Sequence, residues 1–168
     1  MLMEIPGKLK AKVEEIARRK DIPVEELVMV ALNKAFSILN PEEMAEVHLE
    51  LCEKFLREAE ELLKKGDGIQ ASEKGWGAAA QVVKAAAARE GKELRTHGEL
   101  WKYVSGLRER RKDEEIGVLW DRANSLHTNF YENWLPLKEV EIRIRDVRKF
   151  VDKVKALISE THSEERNL

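Results

Sequence analysis

The sequence predicts an all-α fold, an up-and-down bundle of long antiparallel helices that follows a short N-terminal helical hairpin. From Leu9 onward, apolar residues recur at intervals of three and four, which is the period of an amphipathic helix. Glycines and prolines fall between the periodic segments, at positions that suit helix ends. No credible β-strand pattern extends beyond the first few residues.

The N-terminal segment contains two short predicted helices, separated by the break at Asp21-Ile22-Pro23. The next segment opens at Asn40-Pro41, where an amide N-cap, a proline and two glutamates form the strongest helix start in the chain. We therefore place a boundary there. Residues 1–40 form an N-terminal helical hairpin, and residues 41–168 form a helical bundle.

Five helices are predicted in the bundle. Gly91 reads as the glycine that ends the second of them, and Thr96 with Glu99 has the form of a capping box at the start of the third. The segment "GWGAAAQVVKAAAA" is rich in small residues, which lets neighbouring backbones approach closely. The last helix carries an apolar seam at heptad spacing: Val140, Ile144, Val147, Val151, Val154 and Ile158.

Composition excludes several classes of function. The 168 residues include 30 Lys and Arg against 32 Asp and Glu, so the net charge of −2 argues against general electrostatic binding to nucleic acid or an anionic membrane. The single cysteine, Cys52, excludes an internal disulfide framework, and no Cys/His cluster has zinc-ligand spacing. We expect a cytoplasmic protein without a membrane span, a metal or a cofactor. The composition, with 37% charged residues and few glutamines, is typical of heat-adapted proteins.

Two long segments resemble a known family. "GWGAAAQVVKAAAAREGKEL" is similar to the small-residue helix of the HEPN superfamily (higher eukaryotes and prokaryotes nucleotide-binding), and "RANSLHTNFYENW" is similar to its RxxxxH segment. The combination of "HLELCEKFLREAEELLKKGDGIQASEKGWGAAAQVVKA" with "LHTNFYENW" resembles the archaeal PaREP family, a HEPN-like branch, over about residues 41–158. The resemblance implies a dimeric helical bundle. Many HEPN proteins are metal-independent ribonucleases, and many others are inactive partners or small-molecule binders.

The resemblance assigns the reactive residues to Arg122 and His127, with Asn124 and Tyr131 as polar neighbours able to orient the histidine or a phosphate. A histidine has the pKa needed to move a proton from the RNA 2′-OH, and an arginine offers a fork of donors to phosphate oxygens. In the family pattern a polar residue directly follows the arginine. Here Ala123 does so, and a polar residue appears one position later.

Helical geometry favours a second interpretation of His127. At 100° per residue, His127 lies about 20° from the apolar centre defined by Ile116, and Arg122 lies about 120° from it. A histidine in the middle of an apolar stripe is by default a core or dimer-interface residue. The two side chains can meet only if the helix is kinked or a second chain supplies one of them.

Other candidate residues have simpler roles. His48 is predicted in the core, and His97, at a helix start, is predicted to be exposed. Trp76, Trp120 and Trp134 fall on apolar stripes, whereas Trp101 suits the rim of a groove. If RNA binds, the densest positive cluster is the expected contact: Arg108, Arg110, Arg111 and Lys112.

We therefore expect a homodimer that binds RNA, a nucleotide or a protein partner, with metal-independent ribonuclease activity as a candidate. A non-catalytic helical interaction module is the alternative. The third reading is a DNA-binding regulator of the ribbon-helix-helix kind, in which "MEIP" would form the strand. That strand is short and ends in proline, so DNA is the least favoured partner.

Overall fold

The structure, a computed structural model, describes the backbone of residues 3–165 and the side chains of residues 3–160. This part of the chain is all-α, as predicted, with seven helices and no strand. The helices are α1 (Gly7–Lys20), α2 (Val24–Phe36), α3 (Pro41–Lys64), α4 (Gly68–Arg89), α5 (His97–Arg111), α6 (Glu114–Glu132) and α7 (Leu137–Glu165). Backbone contacts divide the chain into two compact units, Met1–Asn40 and Pro41–Leu168.

The first unit is a hairpin of α1 and α2. Asp21 ends α1 in the left-handed conformation, with φ of 54°, and the amide of Ile22 returns to the carbonyl of Ala17. Pro23 stands just before α2, at the break that the sequence predicts between the two helices. Residues 3–6 have no regular secondary structure, so the strand expected at "MEIP" is not formed in the single chain, and DNA binding stays a prediction.

The second unit is the bundle, and its central element is α4, which packs against α3, α5, α6 and α7. The small residues of α4 make this possible. A Cβ added to Gly75 would lie 2.9 Å from Leu126 Cδ1 and 3.2 Å from Ile144 Cγ1, and one added to Gly77 would lie 3.2 Å from Phe55. The close approach predicted for this segment is therefore confirmed.

Most of the predicted helix ends are confirmed. α3 begins at Pro41, and Gly91 follows α4 with a φ of +69°. Thr96 and Glu99 form the capping box at the start of α5. The seam of α7 is buried along its whole length, because its six apolar residues are at most 7% exposed.

Two buried polar groups connect the bundle helices. The Nδ1 atom of His48 lies 2.6 Å from Oε1 of Gln81, which confirms His48 as a core histidine. Asn129, only 1% exposed, donates to Ser72 Oγ and accepts the backbone N–H groups of Trp134 and Leu135. These bonds tie the turn after α6 to α4.

Trp134 corrects the sequence prediction. It is 56% exposed and is not part of the core. α6 ends at Glu132, and Asn133 adopts the left-handed conformation, with φ of 47°. The apolar helical pattern of the sequence continues to Trp134, but the helix itself ends two residues earlier.

No described helix combines the length and the apolar character needed to cross a bilayer.

Candidate functional site

Two histidines meet on the second unit. His127, on α6, and His97, the first residue of α5, have ring centroids 4.6 Å apart and planes inclined by 48°. Both side chains are half-buried. Trp76 of α4 adjoins both rings, with centroid distances of 4.9 Å to His127 and 5.4 Å to His97. We call His97 and His127 the histidine pair.

The histidine pair belongs to a larger cluster of aromatic rings. Trp120 lies 5.2 Å from Trp76, and Trp101 lies edge-on to Trp120 at 5.9 Å. Tyr131 stands T-shaped to His127 at 5.3 Å. Trp101 and Tyr131 are 39% and 61% exposed, so the cluster runs from the core to the surface. Trp101 thus takes the partly exposed position expected of it, and the aromatic rings offer faces on which a planar base can stack.

The start of α5 holds His97 in position. Thr96 Oγ1 accepts the backbone N–H of Glu99, and the Glu99 carboxylate accepts the N–H groups of Arg95 and Thr96 at 2.6 and 2.9 Å. These backbone donors hold the pKa of Glu99 below its usual value. His97 lies inside this capping box, between Thr96 and Glu99, so the reciprocal bonds of these two residues fix its backbone.

His97 was expected to be exposed, and the structure instead places it against His127. The capping box in the sequence locates His97 at the start of a helix. Nothing local shows that this helix start lies beside the middle of α6, because residues 97 and 127 are brought together only by helix packing.

Arg122 and His127 do not share a face of α6. The helix is unbroken from Glu114 to Glu132, and five residues correspond to about 140° of rotation. Arg122 is exposed, whereas His127 faces Trp76 and is half-buried. Asn124 is half-buried, between the two in sequence. Among the four proposed catalytic residues, the rings of His127 and Tyr131 are in contact within a single chain.

The basic cluster between α5 and α6 lies beside carboxylates. Three of its four members form ion pairs: Arg108 with Glu114 at 3.9 Å, Arg110 with Glu90 at 3.5 Å and Arg111 with Glu160 at 3.1 Å. The fourth, Lys112, ends α5 in the left-handed conformation and is exposed. Paired arginines attract phosphate less strongly than unpaired ones, so this geometry weakens the case for RNA contact here.

The fold and the site define an all-α bundle with a half-buried histidine pair at the edge of its core. Within that class, the chain belongs to the Archaeal PaREP1/PaREP8 family, whose sequence model matches residues 47–151. It is also similar to a Sulfolobus solfataricus protein of known crystal structure. The two are 33% identical, the match covers 63% of this chain and 94% of that one, and the TM-score is 0.57. No curated protein matches the sequence.

Proposed function

We propose that this protein is a HEPN-like, RNA-binding protein of the cytoplasm that cleaves RNA without a metal, with the histidine pair as its reactive centre. The observation that supports the proposal is the 4.6 Å separation of the His97 and His127 rings in a half-buried site. Two imidazoles in one site supply both a proton acceptor and a proton donor, which is what cleavage through the 2′-OH requires.

The reaction needs no atom from outside RNA and protein. One imidazole takes the 2′-OH proton, the 2′ oxygen attacks the adjacent phosphorus, and the P–O5′ bond breaks. The other imidazole donates a proton to the departing 5′ oxygen. The products are a 2′,3′-cyclic phosphate and a free 5′-OH, and the two histidines have exchanged protonation states.

The surroundings of the histidine pair suit a nucleotide. Tyr131 exposes aromatic surface beside it, and Trp101 does so further along the same aromatic cluster, beyond Trp120. Base stacking on such rings is worth about 1–3 kcal/mol per base. Arg122 lies on a different side of α6 from His127, so a contact of Arg122 with the reacting phosphate requires a second copy of the chain. The proposal therefore includes the homodimer.

The test is cleavage of a single-stranded RNA in EDTA at elevated temperature. We compare the wild type with His97→Ala, His127→Ala and Arg122→Ala, and use Arg145→Ala, an exposed arginine of α7, as the matched control. Each histidine variant should lose about 100-fold or more in rate while it stays folded, since general acid–base groups contribute that much. A bell-shaped pH profile and 2′,3′-cyclic ends are expected in the wild type.

Cleavage that survives in both histidine variants would show a contaminating nuclease and refute the assignment. Absence of cleavage with retained RNA binding, lost on Tyr131→Ala or Trp101→Ala, would leave a binding protein. Absence of both would favour the non-catalytic interaction module with a protein partner. The sedimentation velocity of the wild type tests the homodimer separately.

A further inference from the structure

The histidine pair has a second chemical capacity, because its ring nitrogens converge. One ligand nitrogen of His97 and one of His127 lie within 4.8 Å of each other. Two imidazoles bound to one tetrahedral Zn²⁺ at about 2.0–2.1 Å each hold their nitrogens about 3.3 Å apart. The gap to be closed is therefore at most about 1.5 Å, which rotation of the two side chains about χ1 and χ2 supplies without moving a helix.

We propose that His97 and His127 together bind a divalent transition-metal ion of the zinc, copper and nickel class. Neutral imidazole suits these ions, whereas Mg²⁺ and Ca²⁺ prefer oxygen ligands. The two side chains supply two ligands, and water completes the coordination shell. Both histidines stand on fixed backbone, because the capping box holds His97 and α6 holds His127 against Trp76.

The position of the site has a consequence for the chemistry of the histidine pair. An imidazole nitrogen that is bound to a metal cannot accept a proton. A metal ion at the histidine pair therefore inhibits the cleavage reaction. This inhibition rests on the proposed function, whereas the metal binding itself does not.

Metal binding is tested on the EDTA-treated, dialysed full-length chain, without RNA. ZnCl₂ is titrated by isothermal calorimetry, and CuCl₂ is titrated while tryptophan fluorescence is recorded, because Trp76 lies 4.9 Å from His127 and bound Cu²⁺ quenches a nearby indole. The wild type should bind one ion per chain and show partial quenching. His97→Ala and His127→Ala should each weaken binding by about 10- to 100-fold or more, since loss of a supporting residue alone has that effect.

Two controls protect the interpretation. His162→Ala removes a histidine outside the described side chains and should leave the titration unchanged. His97→Gln and His127→Gln keep a polar side chain of similar size, so a loss of binding in them, with an unchanged circular dichroism spectrum, is not a loss of folding.

Absence of Zn²⁺ binding in the wild type, or binding retained in either His97 or His127 variant, would overturn the metal site. If Zn²⁺ binds but the EDTA-treated protein cleaves no RNA, the ribonuclease activity is refuted and the metal site stands. Zn²⁺ that binds at the histidine pair but leaves cleavage at its full rate would overturn the inhibition alone.

Discussion

Asn129→Ala is expected to destabilise the bundle far more than a substitution of an exposed residue on the same helix. The Asn129 carboxamide accepts the N–H groups of Trp134 at 2.9 Å and Leu135 at 2.7 Å, and it donates to Ser72 Oγ at 2.9 Å. Alanine leaves both backbone donors without their acceptor. Each costs about 1 kcal/mol, the lower end of the range for an unsatisfied buried group, because these donors are half-buried and water can reach them. The lost bond to Ser72 and the small cavity add about 1 kcal/mol.

The sum is about 3 kcal/mol, which lowers the melting temperature of a chain of this size by about 6–12 °C. Urea unfolding followed by circular dichroism measures the free energy directly. Ser72→Ala, which removes the partner of Asn129 Nδ2 and the bond from Ser72 Oγ to the Gly68 carbonyl but leaves both backbone donors their acceptor, should cost about 1–2 kcal/mol. Thr128→Ala, an exposed neighbour on α6, should change stability by less than about 0.5 kcal/mol. An Asn129→Ala variant as stable as the Thr128→Ala variant would refute the reasoning.

Three further predictions concern the same bundle. Gly75→Ala should destabilise it by about 1 kcal/mol, because overpacking against buried side chains exceeds the gain in helix propensity. Gly106→Ala should stabilise it by about 0.5–1 kcal/mol, because the new methyl group meets only the end of an arginine side chain. Equal urea midpoints for the two variants would contradict this prediction. Cys52, whose thiol pKa burial raises to about 12, should react with a thiol reagent at pH 8 only in denaturant, and rapid labelling of the native protein would contradict this. Tyr103→Phe removes a 2.8 Å hydrogen bond to Glu90 and should cost about 1 kcal/mol at pH 7. Burial raises the pKa of Glu90, but hydrogen bonds and nearby cations outweigh burial and hold that pKa below its usual value of 4.5. The stabilisation by ionised Glu90 is therefore present above pH 4.5, and the cost of Tyr103→Phe should shrink as the pH falls below the pKa of Glu90 in the folded protein. A cost that does not depend on pH would contradict the role of ionised Glu90 as the acceptor.

Much of the fold could be predicted because its signals are local. The heptad seam of α7, the capping box at Thr96 and the helix start at Pro41 each depend on residues within a few positions of one another. A helix with one apolar face must bury that face, so the periodic pattern implies the bundle. The prediction for Trp134 was wrong because the left-handed residue at Asn133 ends α6, and a continuous apolar period does not reveal such an end.

The site was predicted less completely. His127 and Tyr131 are one helical turn apart, and their contact follows from α-helical geometry. His97 could not be assigned to the site, because the distance between α5 and α6 depends on how both helices pack on α4. The ion pairs of Arg110 and Arg111 likewise join residues 20 and 49 positions apart.

The sequence by itself determined the helices, most of their ends and the family, since these depend on local periodicity, capping and residue pattern. Only the tertiary structure decided that His97 stands beside His127 and that Arg122 faces elsewhere. The physical reason is that an α-helix fixes the angles between its own side chains, whereas contacts between helices depend on the close packing of the whole core.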